Sequence, residues 1–207
     1  MRLVRLTRDR LLESADVLAR AMADESSLRW VLPDDDEFLD VYREVDQALI
    51  AHALEDGHVD GWGEPLVGIA VWLRRPRLVT ECPSMTAPPL RRATDDIYPA
   101  HAIHRVERYS AIIRQLRQRA RPDEHAYLDS IAVLPGYRRH GIATHLLGAG
   151  HEWADSTGLP CALDTASDRS VAFYERRGYR RVAELPLADS GLTITAMRRP
   201  RPDRELD

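Results

Sequence analysis

The sequence predicts one α/β domain, a single mixed sheet with helices on both of its faces. Three observations carry that expectation. Residues 36–54, and a region within 94–120, repeat apolar side chains at helical spacing, which makes amphipathic helices. Apolar runs at 66–73 and 127–134 have the length of buried strands and are bounded by Pro or Gly. Strand-like and helix-like stretches alternate along the chain, with no internal repeat and no linker on the scale of a domain.

The elements follow in order. Residues 2–6 alternate as a short first strand, and Thr7 stands where a helix cap would. Val17, Leu18 and Met22 give 15–22 helical spacing. Asp24-Glu25-Ser26-Ser27 interrupts that pattern before an apolar knot of Leu28, Trp30, Val31 and Leu32. The helix at 36–54 buries Phe38, Val41, Tyr42, Val45, Leu49, Ile50 and Ala53. A weak strand at 58–62 and a strong one at 66–73 then form a hairpin around Gly63-Glu64-Pro65. Residues 74–93 carry Pro76, Pro83, Pro88 and Pro89 and read as a long loop, a feature that is usually functional or mobile. The next helix places Ile103, Val106, Tyr109, Ile112, Ile113 and Leu116 on one face, and its arginines read as a solvated face. After the strand at 127–134 come a helix at 142–153, a strand at 161–164 and a helix at 168–176 capped by Gly178. Strands at 179–187 and 192–198 close the domain, which spans 1–198, and 199–207 form a polar, proline-broken tail expected to be disordered.

Composition excludes several classes of function. At 207 residues the chain can bury roughly 70% of its unfolded-state surface, so it needs no disulfide or metal to fold. The net charge of -4 leaves no basic footprint for nucleic acid. Cys82 and Cys161 lie far apart and form no metal-ligand or redox pair, which points to a reduced cytoplasmic compartment. The N-terminal residues have several arginines and no continuous apolar core, so neither a secretion signal nor a membrane partner is expected. His104, His125 and His145 have no metal-ligand spacing, and the absence of GxGxxG argues against a dehydrogenase.

The most informative stretch runs from His125 to Ala143. A strand ends at Pro135-Gly136, and the basic segment Tyr137-Arg138-Arg139-His140-Gly141-Ile142-Ala143 leads into a helix. The first N–H groups of a helix lack internal partners and sit at the positive end of its dipole. This turn is therefore suited to the pyrophosphate of a cofactor.

These residues resemble the GCN5-related N-acetyltransferase (GNAT) superfamily. Arg138-Arg139-His140-Gly141-Ile142-Ala143 fits that family's cofactor signature, Gln/Arg-x-x-Gly-x-Gly/Ala. Tyr174-Glu175-Arg176-Arg177-Gly178-Tyr179 resembles the end of its closing helix. Ala70-Val71-Trp72, the Pro-rich loop, the start at His125 and Leu163-Asp164-Thr165-Ala166 are similar to the puromycin N-acetyltransferase branch. The resemblance implies a mostly antiparallel, twisted central sheet, and acetyl transfer from acetyl-CoA to a primary amine of a small molecule in a ternary complex.

The resemblance also implies roles for particular residues. Backbone N–H groups of Arg139 to Ala143 would cradle the pyrophosphate. Arg138 and Arg139 would add charge, with solvated loop arginines as the alternative. Backbone groups within Ile131-Ala132-Val133, freed by a bulge, would pair with pantetheine, and one N–H would polarise the thioester. Tyr174 matches the tyrosine that protonates the leaving thiolate. Ser167 stands where many members have Asn, a departure in which a hydroxyl would replace only part of that contact. Tyr127 and Asp129 match strand positions where members place a base. Asp129 is the candidate, with a counter-ion or structural role as the alternative, and Glu25 is a second candidate. Glu25, Trp72 and Tyr127 are the expected acceptor-side residues, and no metal is expected. A protein-directed acetyltransferase and a catalytically silent acyl-CoA-binding domain remain the rival readings. A homodimer through the last strands or exposed helices stays open.

Overall fold

A computed structural model of the chain describes residues 2–76, 97–120, 123–187 and 189–201. In chain order the elements are β1 (Leu3–Arg5), α1 (Leu11–Ala21), α2 (Ser26–Val31), α3 (Asp35–Asp56), β2 (Gly57–Trp62), β3 (Gly68–Arg75) and α4 (Ile103–Ala120). Then follow β4 (His125–Val133), α5 (Ile142–Ser156), β5 (Cys161–Thr165), α6 (Asp168–Glu175), β6 (Arg180–Leu187) and β7 (Leu192–Arg199). The strands form a seven-stranded sheet in the order β1-β2-β3-β4-β5-β7-β6. The β4–β5 pair is parallel and the other pairs are antiparallel.

The continuous apolar run of β3 reflects burial on both sides. Ile69, Val71 and Leu73 face α1 and α3, together with Leu18, Leu49, Ile50 and Ala53. Ala70 and Trp72 face α5, where they meet Leu146 and Leu147. The strand's period of two therefore divides one run between two cores. On the far half of the sheet, Leu116 and Ala120 of α4 pack on Leu187, Ile194 and Ala196.

Several expected elements differ in detail. Helix α1 begins at Leu11, after a 3-10 turn at Arg8–Arg10, and Thr7 makes no side-chain cap. The apolar knot is helix α2, and the weak stretch at 58–62 is a full strand because β1 and β3 pair with it on either side. Strand β7 runs one residue past the expected domain end, where Arg199 pairs with Asp155 through both terminal nitrogens. Residues 77–96, including Cys82 and most of the Pro-rich loop, and the tail from 202 lie outside the described residues. No helix among the described residues is long and apolar enough to cross a membrane.

Trp72 is a correction. Expected on the acceptor side, it is fully buried and faces α5, because its parity in β3 turns it away from the α1–α3 face. Its indole contacts His151 and Trp153, and Gly150 of α5 lies against the ring. A Cβ at position 150 would fall inside the indole. Gly150→Ala is therefore expected to cost about 1–3 kcal/mol of stability through overpacking. Thermal melting should show a loss of roughly 2–4 °C for each kcal/mol. An unchanged melting temperature would contradict this packing.

Candidate functional site

The site begins where two strands part. β4 pairs with β5 at Ala126, Tyr127 and Leu128 and no further. On its other edge, Val71 pairs with Ser130 and Trp72 with Leu128, which leaves Asp129 as an extra residue, a β-bulge. The bulge inverts the strand's facing. Ala126 and Leu128 join the α5-side core before it, and Ile131 and Val133 do so after it. Leu134 N–H bonds the Val67 carbonyl of the β3 side. Strand alternation then directs the backbone groups of Ile131 and Val133 toward the open side, away from β3.

Beyond β4 the chain makes a tight turn into α5. Arg139 (φ 67°) and Gly141 (φ 79°) both adopt the left-handed region, a conformation costly for Arg139 and natural for Gly141. Thr144 N–H and His145 N–H bond the Gly141 carbonyl. The N–H groups of residues 139–143 have no partner among the described residues, and they sit at the positive end of the α5 dipole. They border a cavity of about 510 Å³ whose walls include Ile131, Ala132, Val133, Arg138, Arg139, Gly141, Ile142, Ala143, Ser167 and Tyr174.

One expectation about a side chain changes. Arg138 is already engaged, its terminal nitrogens paired with both Asp24 oxygens and the Ala21 carbonyl, and its Nε bonded to the Val133 carbonyl. Its hydrogen bonds to Asp24 raise the guanidinium and hold the Asp24 carboxyl below its ordinary range. Arg138 thus ties the turn to the α1–α2 loop, and the charge facing the cavity comes from Arg139 and Arg169. The exposed His140 ring contacts the Tyr137 carbonyl, and its side chain is not part of the wall.

Tyr174 is the next-to-last residue of α6, 7% exposed, with its ring edge-on to Phe173 and Tyr179. Burial pushes its phenol further above an already high value, so the group is protonated at neutral pH. Ser167 caps α6, its Oγ accepting from Ser170 N–H at 3.3 Å. Phe173 also borders the cavity, with the Arg177 guanidinium 3.6 Å from its ring centre. Arg177 also donates to Thr144 and so fastens α6 to the start of α5.

A second cavity, of about 330 Å³, adjoins the first, and the two share Met22, Glu25, Ile131, Ser170 and Tyr174. Tyr127, Asp129 and Asp164 line it from the sheet, Tyr42 and Asp46 from α3, and Tyr109 and Arg117 from α4. Asp164 accepts from Tyr127 at 2.9 Å, Asp129 from Ser130 at 3.1 Å and Glu25 from Ser27 at 3.2 Å. Burial pushes the Asp129 carboxyl up, against the pull of Arg75. Asp46 is pushed well above its ordinary range, by burial first and by Asp129 second. Tyr127, Asp129 and Glu25 line this cavity together with Asp46, Asp164, Arg75 and Arg117, which the sequence reading does not name as site residues. Asp46 did leave a signal, since it sits four residues after Tyr42 on the buried stripe of α3.

Two substitutions check this geometry. Ser167→Ala is expected to cost about 1 kcal/mol in urea unfolding through loss of the cap, and Ser167→Asn to keep it. For Asp46 the folded carboxyl lies above an unfolded value of about 3.9. Between those values the native state binds more protons, so stability falls as pH rises through that window. Asp46→Asn removes this fall. Its gain in melting temperature over the parent should grow as pH rises above the unfolded value of about 3.9. A difference that does not vary with pH would contradict the raised carboxyl.

Comparison with known proteins agrees with this architecture. The sequence profile of the acetyltransferase (GNAT) family matches residues 16–179. An aminoglycoside N(6')-acetyltransferase type 1 from Acinetobacter genomosp. 13 is 46% identical over 48 residues, which is 23% of this chain. The match spans only 33% of that relative's length. Among solved structures, a histone acetyltransferase HPA2 and related acetyltransferase from Corynebacterium glutamicum ATCC 13032 superposes with a TM-score of 0.65 at 21% identity, covering 99% of this chain and 98% of that one. Arylalkylamine N-acetyltransferase 2 from Aedes aegypti gives 0.66 at 12% identity, with coverage of 96% and 98%. At these identities the structures speak for the fold, while the match at 16–179 reaches from α1 past Tyr174. The chain belongs to the acetyltransferase (GNAT) family.

Proposed function

We propose that the protein transfers an acetyl group from acetyl-CoA to a primary amine of a small molecule, by direct attack within a ternary complex. One observation carries the reading. An anion-binding turn opens into one cavity, carboxylates line another, and the two meet at Ile131 and Tyr174.

The unpaired N–H groups of residues 139–143 fit a pyrophosphate, and the parted edge of β4 fits an extended amide-bearing arm. Acetyl-CoA supplies a thioester carbonyl and a thiol leaving group. The acceptor nitrogen attacks the carbonyl carbon from the second cavity and gives up its proton to Asp129, directly or through a water. Burial makes that carboxylate a stronger base than an exposed one. An N–H of the Ile131–Val133 segment meets the charge developing on the carbonyl oxygen. As the C–S bond breaks, the Tyr174 hydroxyl donates its proton to the departing sulfur. That hydroxyl has no hydrogen-bond partner among the described residues and stands where the cavities join.

Release of free thiol from acetyl-CoA in the presence of an amine panel tests the activity, and no binding of acetyl-CoA in calorimetry would overturn it. Tyr174→Phe is expected to lower kcat by about 10²–10⁴-fold while acetyl-CoA still binds. A variant as fast as the parent would remove Tyr174 from the mechanism.

A further inference from the structure

Transfer to one amine leaves a charge imbalance in the second cavity unexplained. Among the described residues, Glu25, Asp46, Asp129 and Asp164 face it, against the guanidiniums of Arg75 and Arg117. Three of these carboxylates accept hydrogen bonds from the protein. Asp46 does not. It is 7% exposed, borders the cavity, and makes no hydrogen bond or ion pair with any described residue.

A buried carboxylate without a donor is unfavourable unless a cation reaches it. Packing does not leave Asp46 stranded by chance, because α3 fixes it on the inward stripe between Tyr42 and Leu49. Nor do the acids converge as ligands, since no described group of three His, Cys, Asp or Glu side chains is arranged to hold a metal ion. Tyr42, Tyr98 and Tyr109 share the cavity wall with Asp46, and aromatic faces favour organic cations. The raised carboxyl is what an anion site lacking its cation should show.

We propose that the acceptor is a dication whose reacting amine is presented beside Asp129 and whose second cationic nitrogen is held by Asp46. This rests on the amine-transfer reading above and adds a specificity residue to it. The second nitrogen supplies a charge-assisted hydrogen bond that the protein itself leaves unmade.

The test compares α,ω-diamines of three to six carbons with n-alkylamines of matched length, following free thiol from acetyl-CoA. The best diamine is expected to exceed its matched monoamine in kcat/KM by about tenfold or more, the worth of a hydrogen bond to a charged group. In Asp46→Asn the ratio should fall toward one. Asp46→Glu should restore it, with the optimum shifted to a shorter diamine. Acetyl-CoA calorimetry and thermal melting establish that each variant is folded. A ratio near one in the parent, or a preference that survives Asp46→Asn, overturns the inference and leaves amine acetylation standing. If no amine releases thiol, the transfer reading fails separately. Calorimetric titration of diamine and monoamine into the acetyl-CoA-bound protein then decides the inference, since equal binding refutes it and Asp46-dependent preference supports it.

Discussion

The parting of β4 from β5 after Leu128 is the constraint on which the site depends. In a closed sheet, the backbone groups of Ile131 and Val133 would bond to a neighbouring strand, and there would be no gap between the two halves. The extra residue at Asp129 adds a step to β4 while β3 keeps its own register. The strand is thereby bent, and its inward side is exchanged. A single insertion thus aims Ile131 and Val133 toward the α5 side and sets a carboxylate at the floor of the second cavity. Opening the sheet takes this backbone out of strand pairing; Arg138 Nε meets the Val133 carbonyl, and an extended amide-bearing ligand on the edge would offset the rest of the cost.

The gap by itself would not hold two cavities in register. Two arginines do that from opposite sides. Arg138 joins the turn before α5 to Asp24 and Ala21, next to Glu25 on the shared wall. Arg177 joins α6, which carries Tyr174, to Thr144 in the first turn of α5. The Arg138–Asp24 pair is largely exposed, so its contribution to stability is at most about 1 kcal/mol. Its effect is geometric. It commits an arginine of the basic turn to protein contacts and leaves the anion to backbone N–H groups, Arg139 and Arg169.

What the sequence disclosed follows from how locally each feature is encoded. Strand, turn and helix from His125 to Ala143 are contiguous, so the unpaired N–H groups at 139–143 could be anticipated from residue types alone. The reversal at Gly178 is equally local. Trp72 was misplaced because a strand buried on both faces carries no alternation to show which side a residue takes. For Arg138 the sequence leaves both an anion contact and a solvated loop side chain open, because its partner, Asp24, is 114 positions away. The second cavity draws on α3, α4, β4 and β5, and no window of sequence brings those elements together.

Asp46 and Trp72 show how two unsatisfied polar groups can differ in kind. The Trp72 indole nitrogen is enclosed and without an acceptor among the described residues, but aromatic neighbours and Gly150 fill the space around it. No ligand could reach it, and the lost hydrogen bond is the cost of seating a large ring between β3 and α5. Asp46 is also buried as a residue, yet its carboxylate is not among the enclosed orphan atoms and it borders open volume. An apolar residue on the inward stripe of α3 would avoid the desolvation cost and pack against Tyr42 and Leu49. A fold selected only for stability has no reason to keep a carboxylate there. The unfavourable term in the empty protein is the one that a bound cation reverses, so the same group that weakens the fold gives the cavity its discrimination.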